Sequence, residues 1–389
     1  MKACRALVLA ILVVVALAMI GMFYRDPSHD SATLVAGPDP SVLAGASHAT
    51  AARADLMSER VAFVEFDPTK SWGALRIAGP DDQVITLRED SMAFLDVEWS
   101  PTGEWLAYVA GFSGHEMELF LIRPDGGESA LLATGLGGTI TNAVWSPTGT
   151  SVAFARRHAD GSATPYVIDV ASRVERQLAD PKAYEVSAEW ACDGMGPTSL
   201  VPEDWSADGT KILLAASSVC LGDLFADVVV VESTGGSVQR LGGVEGLELH
   251  PDWSPDARSI VIEGPAGLIV FDLRDGTTKD LGPGLMPAWN SASTEVAAIR
   301  SSDHGNPAAY DVWTTSLDSA QAEAVEASTV RADAPEWSPS GGTIAFLGST
   351  DGKTELYLTD VASGRNSLAS FDDGLNVMAF DFRPAGGVQ

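Results

Sequence analysis

Histidine, cysteine and basic side chains are all scarce in this chain, and each scarcity excludes something. Only 6 histidines occur in 389 residues, and none stands in a His-Glu-x-x-His or similar short metal pair. No Gly-x-Ser-x-Gly occurs, so the nucleophile elbow of a triad hydrolase is missing. Lysine and arginine number 24 against 53 aspartates and glutamates, a net charge of -29. Nucleic-acid recognition needs clustered cations, so nucleic acid is excluded as a partner. A chain this acidic repels anionic surfaces and attracts cations or basic partners, and it also gains solubility.

There are 3 cysteines. Cys4 precedes an apolar run and has no assigned role. Cys192 and Cys220 are 28 positions apart, and Cys192 lies in an insertion, Ala188 to Pro202. In an extracytoplasmic domain this pair permits one disulfide stapling the insertion. The spacing supports neither a metal site nor a catalytic thiol pair.

The apolar run itself, Ala6 to Phe23, contains no charge and follows Lys2 and Arg5. Its length suits a bilayer crossing better than a signal-peptide core. Basic residues before it stay in the cytoplasm, which places the remainder outside. Residues 1–26 therefore read as a signal anchor, with a cleaved signal peptide and a secreted product as the alternative. Residues 27–57 are rich in Ala, Ser, Gly and Pro and read as a flexible tether.

Beyond residue 57 the chain repeats. Trp99-Ser-Pro-Thr-Gly103 recurs as Trp145-Ser-Pro-Thr-Gly149, Trp205-Ser-Ala-Asp-Gly209, Trp253-Ser-Pro-Asp-Ala257, Trp289-Asn-Ser-Ala-Ser293, Trp337-Ser-Pro-Ser-Gly341 and Phe382-Arg-Pro-Ala-Gly386. The period near 45 residues marks a repeat architecture. Within one copy, Pro and Gly set a turn after the aromatic. Thr343-Ile-Ala-Phe-Leu347 and Glu355-Leu-Tyr-Leu-Thr359 then read as strands. Near-continuous apolar runs fit strands covered on both faces, as in blades around an axis.

The ends complete each other. The last copy supplies one strand, and Arg60 to Leu87 supplies three: Val61-Ala-Phe-Val64, Ala74-Leu-Arg-Ile77 and Val84-Ile-Thr-Leu87. Pairing them closes the ring and removes a sheet edge. The expectation is an all-β, seven-bladed propeller over residues 58–389, closed by a composite N/C-terminal blade and preceded by one transmembrane helix. Six blades is the alternative, because the copy at Trp289 is worn and follows Trp253 by 36 positions.

These motifs resemble the propeller repeats of the TolB family, also found in the non-catalytic domain of prolyl-oligopeptidase-type peptidases. The resemblance covers about residues 58–386 and implies the fold. Ala257 in place of Gly, and the whole turn after Trp289, depart from the family pattern. The additional N-terminal α/β domain of TolB has no counterpart in residues 27–57, so the envelope role of TolB does not carry over. A fold hosts many functions.

The residue before each repeat aromatic is Glu98, Val144, Asp204, Asp252, Ala288, Glu336 and Asp381. Five of the seven are acidic, and equivalent positions in successive blades share one height around the axis. Glu98, Asp204, Asp252, Glu336 and Asp381, with His250 nearby, are the candidate channel-mouth ring. Such a ring suits Ca²⁺ or a basic segment of a partner. The competing reading is that each carboxylate accepts hydrogen bonds from local backbone or the next blade. No cofactor is expected apart from Ca²⁺. The function this supports is a membrane-anchored, extracytoplasmic, non-catalytic module binding a protein or small ligand. The alternative is a propeller enzyme of lactonase or lyase type using Asp252, His250, Glu336 and Asp96 with a channel metal.

Overall fold

The structure is a computed structural model that describes residues 59–67, 69–79, 83–112, 116–184, 198–220, 223–241, 249–301, 310–319, 321–326, 331–350, 352–369 and 375–384. The apolar run, the tether and Cys192 lie outside these residues. Cys220 ends the strand Lys211–Cys220, but its side chain is not described. Among the described residues no helix is long and apolar enough to cross a membrane.

The copy around Trp337 shows how sequence becomes sheet. The inner strand Arg331–Trp337 pairs antiparallel with Thr343–Thr350, which pairs with Lys353–Asp360, which pairs with Arg365–Leu368. The first turn is closed by Ser338 N–H donating to Thr343 O and by Gly341 N–H donating to Ser338 O, each at 2.8 Å. Gly341 takes φ +74°, a conformation glycine adopts without steric cost.

The two worn turns keep this geometry without glycine. Ala257 and Ser293 both sit at φ +58° and make the same closing bond, to Ser254 O and Asn290 O. Asn290 replaces the motif serine, and its Oδ1 accepts the Thr294 N–H at 2.9 Å. The departures at Ala257 and after Trp289 therefore cost strain and leave the repeat intact.

Every repeat aromatic ends an inner strand. These strands are Ala93–Trp99, Thr139–Trp145, Ser199–Trp205, Leu249–Trp253, Leu285–Trp289, Arg331–Trp337 and Asn376–Phe382. Each begins a four-stranded antiparallel meander. The last instead pairs with Val61–Asp67, which continues to Trp72–Ala78 and Val84–Asp90, so both chain ends share one sheet. Two neighbouring meanders merge into an eight-stranded sheet through one parallel pairing, Ala163 with Ser199. The insertion leaves and returns there: Thr198 Oγ1 donates to Tyr184 O at 3.2 Å, and Tyr184 Oη donates to Asp227 at 3.0 Å.

The core lies between successive sheets. The repeat aromatics are buried there, from Trp99 at 2 % exposure to Trp205 at 8 %. Truncating one aromatic of this kind costs about 3–5 kcal/mol, so the seven together fix how the sheets stack. Second strands are buried on both faces; Leu106–Gly111 is buried throughout. The inner strands follow one another around an axis, from Asn376–Phe382 to Ala93–Trp99 and onward to Arg331–Trp337. Phe382 N–H donates to Glu336 and completes the circuit. The architecture is an all-β propeller.

Each inner strand also carries a register shift, a bulge. In four of them the residue three before the aromatic has positive φ: Asn142, His250, Met286 and Ala334, between 46° and 51°. Non-glycine residues rarely adopt this conformation, and it costs on the order of 1 kcal/mol each. The bulges alter which side chains face the axis.

Candidate ligand-binding channel

The axis holds a cavity of ≈ 590 Å³ between the inner strands. Its walls include seven carboxylates: Asp96, Glu98, Glu203, Asp204, Asp252, Glu336 and Asp381. No lysine, arginine or histidine is among its described lining residues. Leu95, Val109, Ile140 and Val144 supply apolar wall.

All five carboxylates that precede a repeat aromatic meet in this cavity. Each also spans a boundary between sheets. Asp381 Oδ2 accepts the Trp99 N–H at 2.5 Å, and Glu98 Oε2 accepts the Trp145 N–H at 3.0 Å. Asp204 Oδ2 accepts the Trp253 N–H at 2.7 Å, and Asp252 Oδ2 accepts the Trp289 N–H at 2.6 Å. Glu336 Oε1 accepts the Phe382 N–H at 3.3 Å. Where Val144 occupies the position, the Trp205 N–H turns to Oδ1 of Asp204 at 2.6 Å. Asp96 repeats the pattern one step away, accepting the Ala143 N–H at 3.0 Å. The ring thus has an architectural task in addition to its charge.

Crowding and burial make these acids hard to ionise. Burial lifts Asp204 to about 6, against the N–H bonds from Trp253 and Trp205 that favour its charge. Burial likewise lifts Glu203 and Asp381 to about 7. Glu98, Asp252 and Glu336 stand well above the carboxylate range, first from burial and then from a neighbouring charge: Asp381, Asp204 and Asp381 respectively.

His250 does not line the cavity. Its imidazole Nδ1 lies 3.0 Å from Glu263 Oε2, and its side chain is 39 % exposed. Burial works against its charge, but the hydrogen bond and charge of Glu263, with Glu203 and Asp333, raise its pKa above the ordinary value. Among the described residues no group of three or more His, Cys, Asp or Glu side chains is placed to hold a metal ion.

Glu203 is the channel residue that sequence reasoning missed. It neighbours Asp204, and strict alternation sends one of the two away from the axis. The register shift between Pro202 and Asp204 brings both to the cavity. A bulge of this kind has no local sequence signature beyond Pro202.

Comparison with known proteins supports the fold. No protein-family model matches the chain. A Tol-Pal system protein TolB from Xanthomonas campestris pv. campestris is 30% identical over 83 residues, which is 21% of this chain and 19% of that protein. The TolB structure from Acinetobacter baumannii superposes with a TM-score of 0.52 at 18% identity, covering 84% of this chain and 67% of that one. An oligogalacturonate lyase in complex with manganese gives 0.58 at 15% identity, covering 82% and 87%. A prolyl endopeptidase gives 0.57 at 14% identity, covering 82% of this chain and 49% of its own. With repeat motif, meanders, shared terminal sheet and these likenesses together, the chain has the fold of a TolB-like β-propeller.

Proposed function

We propose that this protein is a non-catalytic binding propeller of seven blades, anchored by its N-terminal segment and displayed outside the membrane. Its channel receives a cationic group from a protein partner or small ligand. The observation that carries this reading is the cavity itself: seven carboxylates, no described basic lining residue, and enough volume for a lysine or arginine side chain. Electrostatic complementarity of this kind sets specificity and association rate. Glu203 is the best-placed first contact, because no repeat N–H claims its carboxylate.

Calorimetric titration at pH 8 and low salt tests it, using a lysine-rich peptide, an aspartate-rich peptide and CaCl₂ as probes. The reading expects heat from the lysine-rich peptide, none from the acidic one, and weakening in Glu203→Gln. Absence of heat from every cation would refute it, and heat from CaCl₂ alone would restrict the channel to metal. Protease accessibility in spheroplasts tests the anchoring, and non-reducing peptide mapping tests a Cys192–Cys220 disulfide.

The second reading is a propeller enzyme of lyase type. The pairing of His250 with Glu263 beside Glu203 favours it, as does the likeness to the oligogalacturonate lyase fold. Release of unsaturated product from a polyuronate, abolished in His250→Ala, would establish it; no turnover with or without Mn²⁺ would remove it.

A further inference from the structure

Single apolar side chains on a protein surface need no explanation. Leu136 differs in how it is mounted. At 73 % exposure it is the most exposed large apolar residue among those described, and its φ is +51°. Gly137 follows at φ +85°, and Gly138 N–H donates to Gly135 O at 3.1 Å. Two successive positive φ values closed by such a bond are the pattern of a type I′ turn, whose central positions favour Gly, Asn and Asp. A leucine there is strained, and it gains no burial from the strain.

The turn is also held rigid. Gly137 N–H donates to Glu116 Oε1 at 2.6 Å, and Ile140 N–H donates to Met117 O at 3.2 Å. A Cβ on Gly135 would strike Gly138 O, and one on Gly138 would strike Arg157 O, so neither position takes a side chain. Leu136 is therefore displayed alone on a fixed mount. Backbone strain persists only where its surroundings impose it, and it clusters at binding sites.

Strand direction locates the mount. Ala93 pairs with Gly111, Leu119 with Ala133, and Thr139 with Arg157, all at the end of the sheets opposite the repeat aromatics. Phe112, 51 % exposed, follows Gly111 at that same end. Glu116 links the two sites: its carbonyl oxygen lies 2.5 Å from where a Cβ on Gly111 would stand, and its carboxylate holds the Leu136 turn. Beyond the turn, the strand Thr139–Trp145 runs along the channel, and its Ile140, Thr141 and Asn142 line the cavity. Four or five residues separate Leu136 from Ile140 and Thr141, about 13–17 Å of extended chain.

We propose that Leu136 and Phe112 are the apolar anchors on which a protein partner docks at this end of the ring. The partner carries an apolar residue for the anchors and a lysine or arginine roughly four to six residues away, the spacing that an extended segment needs to reach the cavity. The cationic half of this motif rests on the channel reading above; the apolar half does not. A rigid anchor loses little freedom on binding, which favours affinity.

The test is selection of a random peptide display library at pH 8 on the full-length protein in detergent. The selected peptides are then titrated against wild type, Leu136→Asn, Phe112→Ser and Glu203→Gln. Asparagine suits positive φ, so Leu136→Asn removes the anchor and relieves the strain. The expected peptides combine an apolar residue with Lys or Arg at the stated spacing. They bind Leu136→Asn about tenfold more weakly, while its Tm equals or exceeds that of wild type. Phe112→Ser weakens them in the same direction and decides the matter should Leu136→Asn fail to fold. Enrichment of no sequence, or equal binding to wild type and both anchor variants, would overturn the proposal. A lower Tm in Leu136→Asn would also overturn it, since the leucine would then serve packing. Peptides that lose affinity in Leu136→Asn but not in Glu203→Gln would retain the anchor and refute the channel reading; the reverse pattern would retain the channel and refute the anchor.

Discussion

The Asp381 carboxylate accepts the backbone N–H of Trp99 at 2.5 Å across 282 positions of sequence. One bond thereby joins the last inner strand to the first complete meander. Removing the acceptor leaves a buried N–H unsatisfied, a loss of about 1–3 kcal/mol. Asp381→Ala is expected to destabilise by that amount in urea unfolding. Asp381→Asn, which retains an acceptor oxygen, is expected to lose less than half as much.

Glu203 makes the channel's charge depend on pH. Its pKa is raised by burial to about 7, whereas an unfolded glutamate titrates near 4.3. Stability from the protonated form is complete below the unfolded value and is lost as pH rises through about 7. Glu203→Gln should therefore match wild type at pH 4.5 and exceed it in Tm at pH 8.5. Equal melting temperatures at both pH values would show that Glu203 ionises as freely in the fold as in the unfolded chain.

Ala257 occupies a glycine position of the repeat at φ +58°. Ala257→Gly removes strain of about 1–2 kcal/mol but loosens the unfolded chain by about 0.4–1 kcal/mol. The net expectation is a gain between zero and roughly 1.6 kcal/mol, read as a higher denaturation midpoint with an unchanged slope.

The sheet shared by the chain ends contains a buried ion pair. Arg76 Nη1 lies 3.2 Å from Glu65 Oε2, with side-chain exposures of 7% and 0%. Arg76→Met removes an ion-pair partner from the buried Glu65 carboxylate and should destabilise by about 3–5 kcal/mol. Adding Glu65→Leu should restore most of that loss, because an apolar pair carries no desolvation cost. A double variant as unstable as the single one would mean that the pair matters for its packing.

How much of this was legible follows from what each feature depends on. The aromatic, the Pro and the Gly of each repeat act locally, so strand, turn and strand could be read at Trp99, Trp145 and Trp337. The acidic residues before the aromatics were also visible, as a pattern that only a ring brings together. The competing reading of that pattern describes the geometry directly, since every one of these carboxylates accepts an N–H from the next inner strand. Glu203 was not legible because a one-residue register shift decides which way it points. At Trp289 the sequence looked degraded, yet Asn290 supplies the acceptor that the motif serine supplies elsewhere.

The chain is one closed ring, with its ends in a single sheet and its carboxylates around a single channel. Amide hydrogen exchange on the full chain and on a chain ending at Leu375 measures this directly. Removing residues 376–389 is expected to strip protection from Val61–Asp67 and from the Trp99 amide, with the meanders begun by Ser199–Trp205 and Leu249–Trp253, on the far side of the ring, affected least. Unchanged protection across Val61–Asp67 and at Trp99 would contradict it.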